Sequence, residues 1–245
     1  VSSSKKFRVV IPAAGKGSRS GLSYPKTLYR LDGVPILIRI CRLLESYDAE
    51  PVIIINPAFQ DLFEAALSEA GIRATLLHQE SARGMGDALL VANEILEPED
   101  NVILTWSDIP LISPQTVKGL LSCHMAHRNN FSMATWLGPD CYTIVERDQK
   151  GKLQRVLETR ALGIKPADEG ERDIGLFVFR KEPMFSILRE GVGANGEAEH
   201  GFLYAIELLA AQAKTEGYPI ARDNDVLSFN TPEELAYIER LMSNQ

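Results

Sequence analysis

Cysteine is scarce in this chain. Cys41, Cys123 and Cys141 are the only three in 245 residues. They stand far apart with no pairing pattern, which excludes a disulfide framework and predicts ordinary reduced thiols. No apolar run reaches membrane-spanning length, so no membrane partner is expected. The first residues, Val1-Ser2-Ser3-Ser4-Lys5-Lys6, carry a basic pair but no long apolar segment; they do not read as a signal peptide, and a cytoplasmic location is expected. Positive charge is not in excess either. Lys and Arg number 26 against 33 Asp and Glu, for a formal net charge of -7 and a pI near 5.2. A general nucleic-acid binder needs a basic face, so no nucleic-acid partner is expected. A small basic pocket for phosphates remains compatible with that balance. His124-x-x-His127 is the one suggestive histidine spacing, and no third metal ligand stands near it in sequence.

What is present is ordinary globular composition, 45% hydrophobic and 24% charged. The length suits one domain, 1–245, with two halves that read differently. In residues 1–130, strands and helices alternate. Strands are expected at Arg8–Ala13, Pro51–Asn56, Arg73–His78 and Asn101–Thr105, each a nearly continuous apolar run. Helices are expected at Pro35–Ser46, Gln60–Ala70 (stopped by Gly71), Asp87–Leu96 and Pro114–Ala126. Solidly apolar strands separated by helices mean a parallel sheet covered on both faces, a three-layer α/β/α Rossmann-like architecture. In residues 131–245 the rhythm changes. Closely spaced strands are expected at Phe131–Leu137, Tyr142–Arg147, Leu153–Glu158 and Ile174–Arg180, as a mixed or antiparallel extension of the same sheet. Helices follow at Pro183–Arg189, Leu203–Thr215 and Thr231–Ser243. The glycine-rich stretch Gly191–Gly201 reads as a loop or lid.

Ligands of open α/β sheets bind beyond the carboxyl ends of the strands. The first strand runs into Ala13-Ala14-Gly15-Lys16-Gly17-Ser18-Arg19, and Pro25-Lys26 follows. Small residues let backbone N–H groups approach an anion, Arg19 offers a planar fork and Lys26 a compact point charge. A polyphosphate ligand is the economical reading. The third glycine of Gly-x-Gly-x-x-Gly is missing, since Gly21 falls one place late, and no Walker A pattern occurs; a nicotinamide-dependent oxidoreductase is disfavoured. Gln79 follows the third strand. Its amide offers one acceptor and one donor, which suits uracil or thymine, and suits cytosine when turned over. Asp108 follows the fourth strand, well placed to hold Mg²⁺ among phosphates.

The run Ala13 to Arg19 with Pro25-Lys26 resembles the signature of sugar-phosphate nucleotidyltransferases, above all the uridylyltransferase domain of the bifunctional N-acetylglucosamine-1-phosphate uridylyltransferases. The likeness continues through Gln79…Gly84-Met85-Gly86-Asp87-Ala88, Trp106-Ser107-Asp108-Ile109-Pro110-Leu111, Leu157-Glu158-Thr159-Arg160 and Phe229-Asn230, in order along nearly the whole chain. The hexapeptide repeats of that family's acetyltransferase domain do not occur. The resemblance implies Mg²⁺-dependent transfer of a nucleotidyl group from an NTP, UTP first, to a sugar 1-phosphate. It implies Arg19 and Lys26 as catalytic residues and Ala13, Ala14, Gly15, Lys16, Gly17, Ser18, Gln79, Gly84 and Met85 around the nucleotide. It implies Asp108 and Asn230 as metal ligands, although Asn230 also stands where a helix-capping residue is favoured. On the acceptor side it implies Glu158 and Arg160, the latter in place of a family lysine, with Thr143 and Asp173 standing where the family has glycine and asparagine. Those departures leave the acceptor open. A cytidylyltransferase acting on a non-sugar alcohol phosphate, and a non-catalytic nucleotide-sugar sensor, are the alternatives. A homo-oligomer is compatible with either.

Overall fold

The structure, a computed structural model, describes residues 7–15, 20–80, 84–159, 162–190 and 201–243. The strands of the first half are β1 (Phe7–Pro12), β4 (Val52–Ile55), β5 (Thr75–His78) and β6 (Asn101–Thr105), paired in parallel. Between β1 and β4 lie the short strands β2 (Arg30–Leu31) and β3 (Val34–Pro35), which pair as a hairpin. Its turn is Asp32-Gly33 with φ of 48° and 73°, the chemistry that favours tight hairpins. The covering helices are α1 (Ile36–Leu44), α2 (Gln60–Ala70), α3 (Met85–Val91) and α4 (Pro114–His127). Val9, Ile11, Ile53, Ile55 and Ile103 face one core, and Val10, Val52, Ile54, Val102 and Leu104 face the other. Two buried faces explain why these strands are apolar at every position.

Several boundaries match the expectation from sequence. Helix α2 ends where Gly71 takes φ 67° and its N–H returns to Leu67 and Ser68. Helix α3 is shorter than the predicted Asp87–Leu96: it stops at Val91, and Asn93–Ile95 forms a separate 3-10 turn. Lys181 secures that turn by donating to the carbonyls of Asn93 and Leu96 at 3.0 and 2.7 Å.

The second half contributes β7 (Phe131–Cys141), β8 (Thr143–Arg147), β9 (Leu153–Glu158), β10 (Ala167–Arg180) and β11 (Thr215–Tyr218), with helices α5 (Lys181–Arg189), α6 (Phe202–Gln212) and α7 (Pro232–Ser243). The seven-stranded sheet runs β11-β7-β10-β6-β1-β4-β5, with β10 antiparallel to both β6 and β7 and the other pairings parallel. Two corrections follow. Strands β8 and β9 do not extend this sheet; they pair with each other as a separate ribbon. Helix α6 ends at Gln212, and Thr215, expected at a helix end, opens β11 against the edge of β7. Among the described residues, no helix is long and apolar enough to cross a membrane.

Candidate active site

The strand order determines where a ligand can enter. From β1 the chain moves outward to β4 and β5, then returns to the other side of β1 as β6. Loops leaving the carboxyl ends of β1 and β6 therefore diverge and leave a crevice. A cleft with a volume of about 340 Å³ lies there, lined by Ala13 to Gly15 beyond β1, Pro25 to Thr27, Gln79, Gly84, Met85, and Trp106 to Asp108 beyond β6. Ala13 is fixed by its N–H, which donates to Ile54 at 2.7 Å. A Cβ at Gly15 would meet nothing within 4 Å, so the protein's own packing does not demand glycine there. Lys16, Gly17, Ser18 and Arg19 lie outside the described residues, as do Arg160 and the 191–200 part of the Gly191–Gly201 stretch.

Three residues from distant parts of the chain converge on one point. Lys26, in the 3-10 turn after Pro25, donates from Nζ to Asp108 Oδ2 at 2.5 Å and to Asn230 Oδ1 at 2.9 Å. Asp108 follows β6, and its backbone carbonyl accepts from Phe229 N–H at 2.9 Å, which ties the two oxygen-bearing segments together. Asn230 Nδ2 donates to Ser228 Oγ at 3.0 Å, so the amide oxygen is the end turned to Lys26. The competing role of Asn230 as a helix cap falls to its neighbour: Thr231 Oγ1 accepts from Glu234 N–H at 3.3 Å, and Glu234 Oε2 accepts from Thr231 and Asn230 N–H at 3.0 and 2.6 Å, a capping box. The other Asp108 oxygen, Oδ1, is buried without a hydrogen-bond partner. Two hard oxygens already gathered around one cationic centre, with a further buried carboxylate oxygen unused, fit a Mg²⁺ ion that completes its shell with phosphate and water.

Gln79 is 7% exposed and hangs from β5 through its N–H to Ile55 O at 2.9 Å. Its Nε2 donates to Gly84 O at 3.2 Å and to Asp87 Oδ2 at 3.1 Å. Both partners only accept, so the amide has one orientation and presents Oε1 as its remaining group. Gly84 reaches this position at φ 103°, a backbone state that side chains disfavour. Asp87 stands in the first turn of α3, where an acid reads from sequence as a complement to the helix dipole; its contact with Gln79 shows only in the structure.

On the acceptor side, Thr143 and Asp173 are brought together, but against each other. Thr143 Oγ1 donates to Asp173 Oδ1 at 2.6 Å, and Gly175 N–H donates to Asp173 Oδ2 at 3.0 Å. Both side chains are buried, and burial raises the Asp173 carboxyl above the ordinary range, with those two hydrogen bonds opposing. Glu158, at the exposed end of β9, is the cross-strand neighbour of Thr143. Trp106 lies against Gly175: its backbone N–H donates to Gly175 O at 2.9 Å, and a Cβ on Gly175 would stand 2.7 Å from the indole. Gly175 has φ 74° inside a register shift of β10, so glycine is needed there twice over. Tyr142 borders the same region; burial first, then the nearby Asp173 carboxylate, push its hydroxyl up, while Arg172 pulls it down.

Residues 9–188 match the family model described as the MobA-like NTP transferase domain. The bifunctional protein GlmU of Syntrophomonas wolfei is 28% identical over 243 residues, 97% of this chain and 53% of that protein. The protein of the same name from Koribacter versatilis is 28% identical over 249 residues, 98% of this chain and 52% of that protein. The chain thus spans about half the length of these curated relatives. A solved UDP-glucose pyrophosphorylase complexed with UDP-glucose superimposes with a TM-score of 0.78 at 16% identity, over 98% of this chain and 99% of that one. The resemblance read from the motifs is borne out, and so is the fold class.

Proposed function

The chain belongs to the family of MobA-like NTP transferase domains and is a nucleotidyltransferase, and from that premise we propose that it transfers a uridylyl or thymidylyl group from the NTP to a sugar 1-phosphate. A single domain carries the reaction, with residues 1–130 serving the nucleotide and 131–245 the acceptor. The observation that carries the reading is the meeting of Lys26, Asp108 and Asn230 at the mouth of the cleft. An oxygen of the acceptor phosphate attacks the α-phosphorus in line; a new P–O bond forms, the bond to the β-phosphate breaks, and pyrophosphate leaves with the electron pair. The nucleophile is already an anion, so no covalent enzyme intermediate and no general base are required. The work left to the protein is to bring two anions together and hold them in line.

Each side chain has a part in that work. Ala13 to Ser18 give the triphosphate backbone donors, with Lys16 and Arg19 as its cations. Lys26 leaves its resting partners to bridge the α-phosphate and the acceptor phosphate. Asp108 and Asn230 would hold Mg²⁺, which when bound would neutralise charge on the phosphates. Gln79 reads the base. With Nε2 held by Gly84 and Asp87, Oε1 accepts from N3–H of uracil or thymine, whereas N3 of cytosine in the same pose presents a lone pair to it. Met85 and Gly84 flank the base. Glu158 accepts from sugar hydroxyls, Arg160 has the role of a cation for the sugar phosphate, and the Thr143–Asp173 pair shapes the floor beneath the ring. The UDP-glucose held by a protein of the same fold supports a nucleotide sugar as product.

The test is pyrophosphate release with UTP, dTTP, CTP, GTP and ATP, each paired with a panel of sugar and alcohol phosphates. Release is expected with UTP or dTTP and a sugar 1-phosphate, silenced by a chelator and restored by Mg²⁺. Release with CTP and an alcohol phosphate alone would replace this reading with a cytidylyltransferase. Binding of nucleotide without turnover across the panel would make the protein a sensor.

A further inference from the structure

Two arginines of the second half stand in opposite electrostatic situations. Arg147 donates to Glu171 through Nε and Nη2, both at 2.7 Å, and to Glu216 through Nη1 at 2.7 Å. Arg172 follows Glu171 on β10, and the alternation of a strand sends it to the other face. It is 9% exposed. Its guanidinium carbon lies 4.7 Å from the Tyr142 ring centroid and 5.3 Å from that of Trp136. Nη2 donates to Val226 O at 3.2 Å, and Nε is buried with no partner. Among the described residues, no carboxylate stands within ion-pair distance of it. Aromatic faces attract a guanidinium but do not neutralise it. Arginine cannot escape burial by losing its proton. The neighbouring Asp173 carboxylate attracts it only from beyond ion-pair distance, with its oxygens bonded to Thr143 and Gly175; a hydrophobic side chain of similar volume serves a fold as well as or better than a buried charge so weakly paired. Folding alone therefore gives no reason for this residue.

Its surroundings belong to the acceptor half of the site. Tyr142 precedes Thr143, whose hydroxyl holds Asp173, the residue after Arg172. Val226 opens the segment that leads to Asn230. The cleft around Lys26 does not include Arg172, so the phosphate that reacts there is served by other groups. We propose that Arg172 binds a second anionic group of the acceptor, a carboxylate or further phosphate set apart from the reacting one, and that the acceptor is an acidic sugar 1-phosphate. With Nη2 engaged and Nε enclosed, Nη1 is the nitrogen that reaches the ligand, and the two rings keep the planar fork oriented for it. This rests on the sugar 1-phosphate reading above.

The test compares glucose 1-phosphate, glucuronic acid 1-phosphate and glucose 1,6-bisphosphate, which differ only at carbon 6, using the wild type, Arg172→Met and Arg172→Lys. The wild type is expected to show a KM for an anionic acceptor about tenfold or more below that for glucose 1-phosphate. Arg172→Met erases that preference by raising the KM of the anionic acceptor, and Arg172→Lys restores part of it. The thermal midpoint of Arg172→Met stays level or rises. A lower KM for the bisphosphate than for the uronate supports the site and names phosphate as its group. No preference in the wild type overturns the proposal, as does an equal rise in both KM values in Arg172→Met. A fall in thermal midpoint with acceptor KM unmoved overturns it too, because the arginine is then structural. Calorimetric binding of the same three phosphates in the presence of UTP is read alongside. An enzyme without turnover that still binds an anionic acceptor through Arg172 contradicts the catalytic reading alone; loss of selective binding contradicts this one.

Discussion

Replacing Asp87 with asparagine keeps the shape of the side chain and removes the charge that fixes the Gln79 amide. In the wild type, turning that amide over would set Oε1 against Gly84 O and Asp87 Oδ2, now donated to at 3.2 and 3.1 Å. The turn forfeits one neutral hydrogen bond, about 0.5–1.5 kcal/mol, and one to a charged group, about 1.5–3 kcal/mol. The sum is on the order of 2–4 kcal/mol, roughly 30- to 1000-fold against a base that needs a donor at that position. In Asp87→Asn the new amide rotates to match either orientation of Gln79. Only the contact with Gly84 then resists, about 1 kcal/mol or roughly fivefold. With UTP and CTP mixed at equal concentration, the initial ratio of products reports the ratio of their kcat/KM values. That ratio is expected to fall by about tenfold or more in Asp87→Asn, with CTP gaining in absolute terms. An unchanged ratio, with both nucleotides losing rate in parallel, would mean that Asp87 merely supports the helix and that Gln79 does not discriminate through a fixed orientation.

Lys26→Ala removes the charge held between Asp108 and Asn230, where the proposed reaction takes place. It should lose on the order of 3–4 kcal/mol of transition-state stabilisation, about a hundredfold or more in kcat, with circular dichroism unchanged; near-normal turnover would sink its assignment. Asp173 has a raised carboxyl, so its charged form is the one the fold penalises. That penalty is absent well below the ordinary value of 3.8 and grows as pH rises through it. Asp173→Asn should therefore raise the thermal midpoint at pH 8, with the gain shrinking as pH approaches 4; a gain independent of pH would refute the cause. Gly175→Ala meets Ile109 and Trp106 at 2.6 and 2.7 Å and carries a left-handed φ. It should cost roughly 2–4 kcal/mol in urea unfolding, and a loss under about 1 kcal/mol would show that the indole yields easily.

The nucleotide half was legible because its signals are local. Strands apolar at every residue, helices closed by Gly71 or opened by Pro114, and small residues after β1 each mean one thing wherever they occur. The acceptor half depends on partners far away in sequence. Thr215-Glu216-Gly217-Tyr218 has no strand pattern and becomes β11 only because β7 offers an open edge and Arg147 holds Gly217 O at 2.7 Å. Strands β8 and β9 were legible as strands but not as a ribbon of their own, since pairing is decided between elements. The hairpin turn Asp32-Gly33 is a local signal too, although the strands it joins are only two residues each. At the site, Asn230 and Thr231 are both good capping residues, and only the hydroxyl's contact with Glu234 N–H shows which of them caps. Arg172 carried no motif, and Asp87 stood inside the Gly84–Ala88 run without a role of its own; what marks both out is the company they keep.

The ammonium of Lys26 sits where a cation bound by Asp108 and Asn230 would sit. Lys26 and Asp108 thus neutralise each other, with the protein as its own counter-ion. A divalent ion held by these two residues would have to displace that positive charge and leave it nearby. A triphosphate that draws Lys26 away removes this obstacle. By reciprocity, metal and nucleotide must then strengthen each other's binding by the same factor. The enzyme would be indifferent to free metal and responsive to the metal–nucleotide complex, a form of heterotropic cooperativity built from a single lysine.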